Sequence, residues 1–350
     1  MSSPSVAVDA CAVATSAPAL PSPRGPLSEY VVEHLRRTPQ ALPTAPDPHG
    51  HWTDDDLQLA LYICYELHYR SFAGVDERWE WHPELLRFRA RLEDVFEEAV
   101  RAAAGPAVGD GAVEDQLWAI ARGECPIGPD GRSTPSLSGY VLEHATLDQV
   151  RELAVHRSAY QLKEADPHTW AIPRLTGGPK AAMVEIQADE YGGGVESEMH
   201  CSLFAVTMEE LGLDRTYGAY LDHLPGTTLA TVNLISMFGL HRRLRAALVG
   251  HLAIFEMTSV VPMGRYAEAL AALGVNGRGQ RFYRVHVEAD VLHQTVAARD
   301  LAGRLADDEP ALGADILFGA RAVTAVEARF TEAVLGCWAA GRSSLRLPLG

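Results

Sequence analysis

The segment Arg284-Val285-His286-Val287-Glu288-Ala289-Asp290-Val291-Leu292-His293 holds two imidazoles and a carboxylate at i, i+4 and i+7. On a helix, His286, Asp290 and His293 fall within roughly 60° of arc on one face, spread over about 10 Å. Phe282, Val285, Ala289 and Val296 lie beside that stripe, which points it towards an interior. Ionisable groups turned into a core are costly unless paired or metal-bound. Imidazole plus carboxylate without thiolate suits iron or manganese better than structural zinc. The competing reading is a solvated helix face, and Val287 and Val291 on the other side keep it open.

A second candidate runs from Glu185 to His200 and contains Asp189-Glu190-Tyr191-Gly192-Gly193-Gly194. In an unbroken helix, Glu190 and His200 would sit about 80° apart and roughly 15 Å along the axis. Both could reach one site only if the chain bends, and three consecutive glycines permit a bend. The same text reads equally as an exposed glycine turn with solvated acids. A third carboxylate, Glu164 in Lys163-Glu164-Ala165-Asp166-Pro167-His168, ends a long helical pattern and is a weak signal alone.

The elements needed to position these groups read as helices. Thr53-Asp54-Asp55-Asp56 resembles an N-cap and acidic first turn leading into Leu57–Ser71. Pro83 suits the first turn of a helix running to Ala104. Further helices are expected over 138–164, 180–211, 227–262 with a break near Gly239, 280–306, and from Pro310 to a C-cap at Gly341. Strand alternation is scarce, so the expected fold class is all-α. Residues 1–50 are rich in Ala, Pro and Ser and read as a mostly disordered extension that holds a short helix around Glu29–Arg37. The domain is expected over 51–342, with 343–350 a short tail.

The chain has 350 residues and a formal net charge of −16, which argues against nucleic-acid and anionic-membrane partners. Its five cysteines, Cys11, Cys64, Cys125, Cys201 and Cys337, are odd in number and widely spaced, with no C-x-x-C pair. A reducing, cytoplasmic setting is the expectation. No apolar run is expected to reach the roughly 18 residues of a membrane helix, and the N-terminus, with Asp9, does not read as a signal peptide.

Taken in order, these pieces resemble the heme-oxygenase-like diiron oxidases and oxygenases, also described as iron-containing redox enzymes. The resemblance rests on Ser158-Ala159-Tyr160-Gln161-Leu162-Lys163-Glu164-Ala165-Asp166-Pro167-His168, on Asp189-Glu190-Tyr191-Gly192-Gly193-Gly194 with His200 and Leu203-Phe204, and on His286-x3-Asp290-x2-His293. It takes in Tyr65–Arg70 and Gly250–Glu256, and spans about Asp54 to Glu332. It implies a heme-oxygenase-like helical bundle around two iron ions, with O2 as co-substrate. Carried over residue by residue, it implies Glu164, Glu190, His200, His286, Asp290 and His293 as ligands. No separate catalytic or cofactor-binding residue is implied beyond them.

Other residues have blander readings. His168 follows Glu164 by four, but Pro167 interrupts the helix between them. Glu256 and His251 sit in an apolar stretch, as partners that orient ligands or as hydrogen-bonded buried groups; Glu66 and His68 are similar. His241-Arg242-Arg243-Leu244-Arg245 reads as a solvated or ion-paired face, Gly277-Arg278-Gly279 is too short for a nucleotide loop, and Cys201 reads as a packed thiol. The functional expectation is an O2-dependent nonheme diiron oxidase or oxygenase acting on a small organic metabolite. A desaturase or carbon–carbon-cleaving oxidase is the alternative, and a non-catalytic iron- or heme-binding protein is the rival of another class. An external electron donor and a homodimer are left open as partners.

Overall fold

A computed structural model of the chain describes residues 17–48, 50–106, 111–125 and 135–350. The described residues contain no strand, so the all-α expectation holds. In chain order the helices are α1 (Pro26–Leu35), α2 (Asp55–Glu66), α3 (Pro83–Ala104), α4 (Val113–Ala121), α5 (Leu137–His144), α6 (Leu147–Gln161), α7 (Asp166–Thr169), α8 (Gly177–Glu190), α9 (His200–Glu210), α10 (Gly226–Leu240), α11 (Arg245–Ala272), α12 (Gly277–Thr295), α13 (Arg304–Asp308) and α14 (Gly313–Ala339). A π-helical stretch, Val296–Gly303, joins α12 to α13.

Local chemistry explains the helix starts. Asp54 caps α2, its carboxylate accepting from the backbone N–H of Asp56 at 2.9 Å and of Leu57 at 3.2 Å. Pro83 opens α3, whose Leu85, Phe88, Leu92, Phe96, Val100 and Ala104 recur at three- and four-residue spacing and are all buried. Pro262, expected near a helix end, lies inside α11 instead. The long pattern over 138–164 divides into α5 and α6, where Thr146 and Gln149 form a capping box.

α11 and α14 touch backbone to backbone. A Cβ on Gly250 would lie 1.8 Å from the Ile316 carbonyl oxygen, and one on Gly319 would lie 1.9 Å from that of Ala247. Only glycine at both positions permits this approach.

Two expectations need correction. Residues 17–48 are not a mostly disordered extension, although the short helix expected near Glu29–Arg37 is present as α1: it buries Leu27, Val31, Val32 and Leu35, and Asp56 accepts hydrogen bonds from the backbone N–H of Leu27 and Ser28, each at 2.8 Å. Proline-rich composition hid a short apolar stripe that a neighbouring helix caps. The rest of that call, residues 1–16, lies outside the described residues. The short C-terminal tail lies against the bundle, with Leu345 buried and the Arg346 N–H donating to the His223 carbonyl at 2.8 Å. Finally, Arg242–Ala272 is long and apolar enough to cross a membrane by length and composition, contrary to the expectation. Most of that window is buried inside the protein, which is what a central bundle helix requires.

Candidate metal centre

Each sequence-predicted group reaches one buried region by its own device. Glu164 sits in the turn between α6 and α7, beside Ala165, whose φ of 76° is rare for a residue with a Cβ. The preceding Lys163 fixes this turn, its Nζ lying 2.8 Å from Glu66 Oε2 with both side chains buried. Glu190 is the last residue of α8, and His200 is the first of α9. The chain between them bends at Gly192, Gly193 and Gly194, all at positive φ. Gly192 is obligatory, since a Cβ there would come within 2.5 Å of the Glu198 and Met199 backbone. From α12, His286, Asp290 and His293 all point inward, whereas Val291 is 58% exposed. The solvated-face reading of this helix is therefore wrong, and so is the exposed-turn reading of Glu190.

Two overlapping groups result. Glu164, Glu190, His200 and His286 offer ligand atoms within 4.8 Å of one another, and so do Glu190, Glu256 and His293. Glu190 belongs to both. Asp290 adjoins the second group, its Oδ1 lying 3.5 Å from His293 Nδ1. His200 Nδ1 faces Glu190 Oε2 at 2.8 Å, and His286 Nε2 faces Glu164 Oε1 at 3.7 Å.

The surrounding hydrogen bonds set the imidazole tautomers. His286 Nδ1–H donates to the Phe282 carbonyl at 2.8 Å, which leaves the Nε2 lone pair facing the site. His293 Nε2–H donates to Asp189 Oδ2 at 3.0 Å, which leaves Nδ1 facing it. Ser259 Oγ donates to Asp290 Oδ2. This is the outer hydrogen bonding that orients metal-binding imidazoles and carboxylates.

Glu164 Oε2, Glu190 Oε2, His200 Nδ1, Asp290 Oδ1 and His293 Nδ1 are buried, make no hydrogen bond outside the site, and have only one another and Glu256 as close polar neighbours. A divalent cation satisfies such a set, because every one of these atoms can present a lone pair. The donors fit iron: nitrogen and oxygen, no thiolate, on the facing helices of a bundle.

Without a cation the charges must settle among themselves. Burial works against charge on His286, but Glu164 beside it wins and holds the imidazole up at about 10. Burial likewise opposes charge on His293, yet hydrogen bonding to Asp290 and Glu256 raises it to about 11. Burial pushes Glu256 up to about 8. Burial also works to raise Glu190, but the adjoining imidazoles His200 and His286 bring it down to about 2. Metal uptake must therefore displace protons from the imidazoles.

Several residues stand apart. His168 and His251 bond to each other, Nε2 to Nδ1 at 3.1 Å, and neither joins a ligand group. Glu66 accepts from Lys163 and Tyr217, and His68 pairs with Glu80 and Arg89. His241 pairs with Glu93, and Arg243 with Glu97, as expected for that basic segment. Asn276 caps α12 through Arg278 and Gly279. Burial pushes the Cys201 thiol up to about 11, as a packed thiol requires. Glu256 is the residue that sequence reasoning undervalued. Its signal was a lone acid directly after the largely apolar Gly250–Phe255 run, four residues after Leu252 and three before Ser259 on one face of α11.

A cavity of about 340 Å³ adjoins the centre, with Glu164, Glu190, His286 and Asp290 in its wall. Leu252, Phe255 and Tyr160 give it an apolar side. The Arg157–Glu327 ion pair, with contacts of 2.8 and 2.9 Å, gives it a polar one.

A family model described as an iron-containing redox enzyme matches residues 151–328, just over half of the chain and all six of the sequence-predicted ligands. No curated protein matches the chain.

Proposed function

From the premise that this chain belongs to the iron-containing redox enzyme family, we propose that it is an O2-dependent nonheme diiron oxidase or oxygenase. The residues that would hold the ions are Glu164, Glu190, His200, His286, Asp290 and His293, of which Glu190 is common to both ligand groups. The observation that carries the reading is the convergence of buried carboxylates and imidazoles around Glu190, the carboxylate common to two ligand groups. One octahedral ion could not use so many donors and still admit O2. Two ferrous ions would supply the electrons and the coordination sites for O2 chemistry that no side chain can supply alone.

The residues around the ions bind and orient. Asp189 and the Phe282 carbonyl hold His293 and His286 in the metal-binding tautomer. Ser259 holds the carboxylate of Asp290. Phe255, Leu252 and Tyr160 exclude water from the metal side of the cavity, whose volume suits a small organic metabolite. The proposed reaction is oxygenation of such a metabolite on nitrogen or carbon, with an external electron donor where turnover requires one.

The test is anaerobic ferrous titration followed by O2 exposure with candidate amines, amino acids and fatty acids. Saturation at two irons per chain and substrate-stimulated O2 uptake are expected. Labelled oxygen in the product marks oxygenation, and O2 consumption without label marks desaturation or scission. Saturation at one iron, or O2 uptake no faster than that of free ferrous iron across the panel, refutes the proposal. A Soret band on heme addition, with no ferrous uptake, would favour the heme-binding rival.

A further inference from the structure

We propose that the Arg157–Glu327 ion pair is the head-group subsite of the cavity. It selects a metabolite with a carboxylate and an ammonium on one carbon, an α-amino acid, whose chain leads away from the pair towards the metal centre. The inference rests on the reading of this cavity as the substrate chamber of the proposed oxidase, and it narrows the substrate class.

The pair faces the chamber. Arg157 on α6 and Glu327 on α14 meet through two parallel contacts, Nη1–H to Oε1 at 2.9 Å and Nη2–H to Oε2 at 2.8 Å. The guanidinium also lies over the Phe330 ring, 4.5 Å from its centre. A pair that served only to hold α6 to α14 would be best enclosed. Here both members line the cavity, and 26% and 24% of their side-chain surface stays open. Burial opposes charge on Arg157, but Glu327 beside it wins and keeps the guanidinium charged.

The free valences of the pair define the head. A guanidinium has more N–H donors, and a carboxylate more lone pairs, than two parallel contacts use. Donors and acceptors are therefore left side by side in the cavity wall. A lone carboxylate would gain from Arg157 but meet the Glu327 anion, and a lone ammonium would meet the reverse conflict. An α-amino carboxylate presents the opposite charge to each member at once. An uncharged head would displace water from both charges and return nothing for it.

The spacing sets the reach. Arg157 and Glu164 are seven residues apart, roughly 10 Å along α6 and the turn that follows it. Tyr266 on α11 lines the pair's end of the cavity, where its hydroxyl feels both charges. It is ten residues beyond Glu256, roughly 15 Å along the helix. Leu252, Phe255 and Tyr160 lie in the wall of the same cavity and suit an apolar chain. Extended chains advance about 1.2 Å per bond, so about six to eight bonds carry a molecule from the pair to the edge of the centre.

The experiment measures anaerobic binding of 2-aminooctanoate, octanoate and heptylamine to the ferrous-loaded full-length chain by calorimetry. The three share one alkyl chain and differ in the head. 2-Aminooctanoate should bind at least about 10-fold more tightly than either of the others, the worth of one charge-assisted hydrogen bond. Failure of 2-aminooctanoate to bind, or equal binding of octanoate or heptylamine, would overturn the proposal. Arg157→Gln/Glu327→Gln removes both charges together and strands neither. It should take up iron as wild type does and reduce the preference to within about threefold; a preference that persists there would place the head elsewhere and overturn the subsite. A crystal structure of the wild type soaked with 2-aminooctanoate needs no variant. An amino carboxylate within hydrogen-bond distance of Arg157 and Glu327 supports the assignment, and one seated at the metal ligands refutes it. Ferrous stoichiometry reads the two-iron proposal separately, since one equivalent in the wild type would overturn that reading whatever the head-group preference.

Discussion

Replacing Lys163 with Met tests how the Glu164 turn is held. Lys163 and Glu66 are 1% and 0% exposed at the side chain, with Nζ 2.8 Å from Oε2. Nζ also lies 4.1 Å from the centre of the Tyr69 ring. Met would replace the aliphatic stem and leave the Glu66 carboxylate buried, with the Tyr217 hydroxyl at 2.7 Å and the Arg70 N–H at 3.3 Å as remaining donors. Breaking one side of a buried pair costs about 3–5 kcal/mol. The two retained hydrogen bonds place the expected loss at the lower end, about 3 kcal/mol. Lys163→Met/Glu66→Gln removes the stranded charge while keeping an acceptor for Tyr217, so it should recover at least half of that loss. Denaturant midpoints of the metal-depleted proteins measure both effects. Ferrous affinity of the ligand group that contains Glu164 gives a second readout, since Lys163 adjoins it. A loss under about 1 kcal/mol for the single variant, or strictly additive losses in the pair, would refute the reasoning.

His293→Ala should lose the second metal equivalent yet remain folded, whereas Glu288→Ala, on the exposed side of α12, should bind both equivalents; like behaviour of the two in titration would contradict the helix facing. Deleting residues 1–45 removes Leu27, Val31, Val32 and Leu35 from the core, worth about 6–12 kcal/mol of burial, so a collapse of thermal stability is expected and an unchanged melting temperature would contradict the docking of α1. Burial pushes His156 down to about 3 between the Thr228 and Ser344 hydroxyls. Between that value and an ordinary 6.5 the unfolded chain binds the extra proton, so its contribution is complete above about pH 6.5 and falls on acidification, by about 2 kcal/mol at pH 5. Denaturant unfolding at pH 7 and pH 5 should show a smaller drop in His156→Gln than in wild type, and equal drops would remove His156 from the account.

The parts of the centre legible in the sequence are those whose spacing is intrahelical. His286, Asp290 and His293 share a face because a helix repeats, and nothing distant is needed to see it. Glu190 and His200 required a bend, which three glycines allowed but did not aim; Gly192 is fixed by its approach to Glu198 and Met199, a contact absent from any periodicity. Glu256 was hidden because its meaning comes from α11 packing against α12, and a lone acid in an apolar run carries no spacing of its own. The N-terminal misreading has the same root. Composition describes an isolated segment, whereas α1 is ordered by Asp56 on another helix and by the core that it covers.

The contact of Gly250 with α14 and of Gly319 with α11 acts as a fulcrum. Further along, the same helices both reach the cavity, through Pro262 and Met263 on α11 and Glu327 and Thr331 on α14. A methyl group at either glycine would tilt one rod against the other, and the displacement would grow with distance from the pivot. α11 also carries Glu256 and Ser259, so the same tilt would move the floor of the metal centre along with the wall of the chamber. Widening this enzyme for a bulkier guest would then be done more safely at the far ends of the levers than near the hinge, where a single carbon atom would shift chamber and centre together.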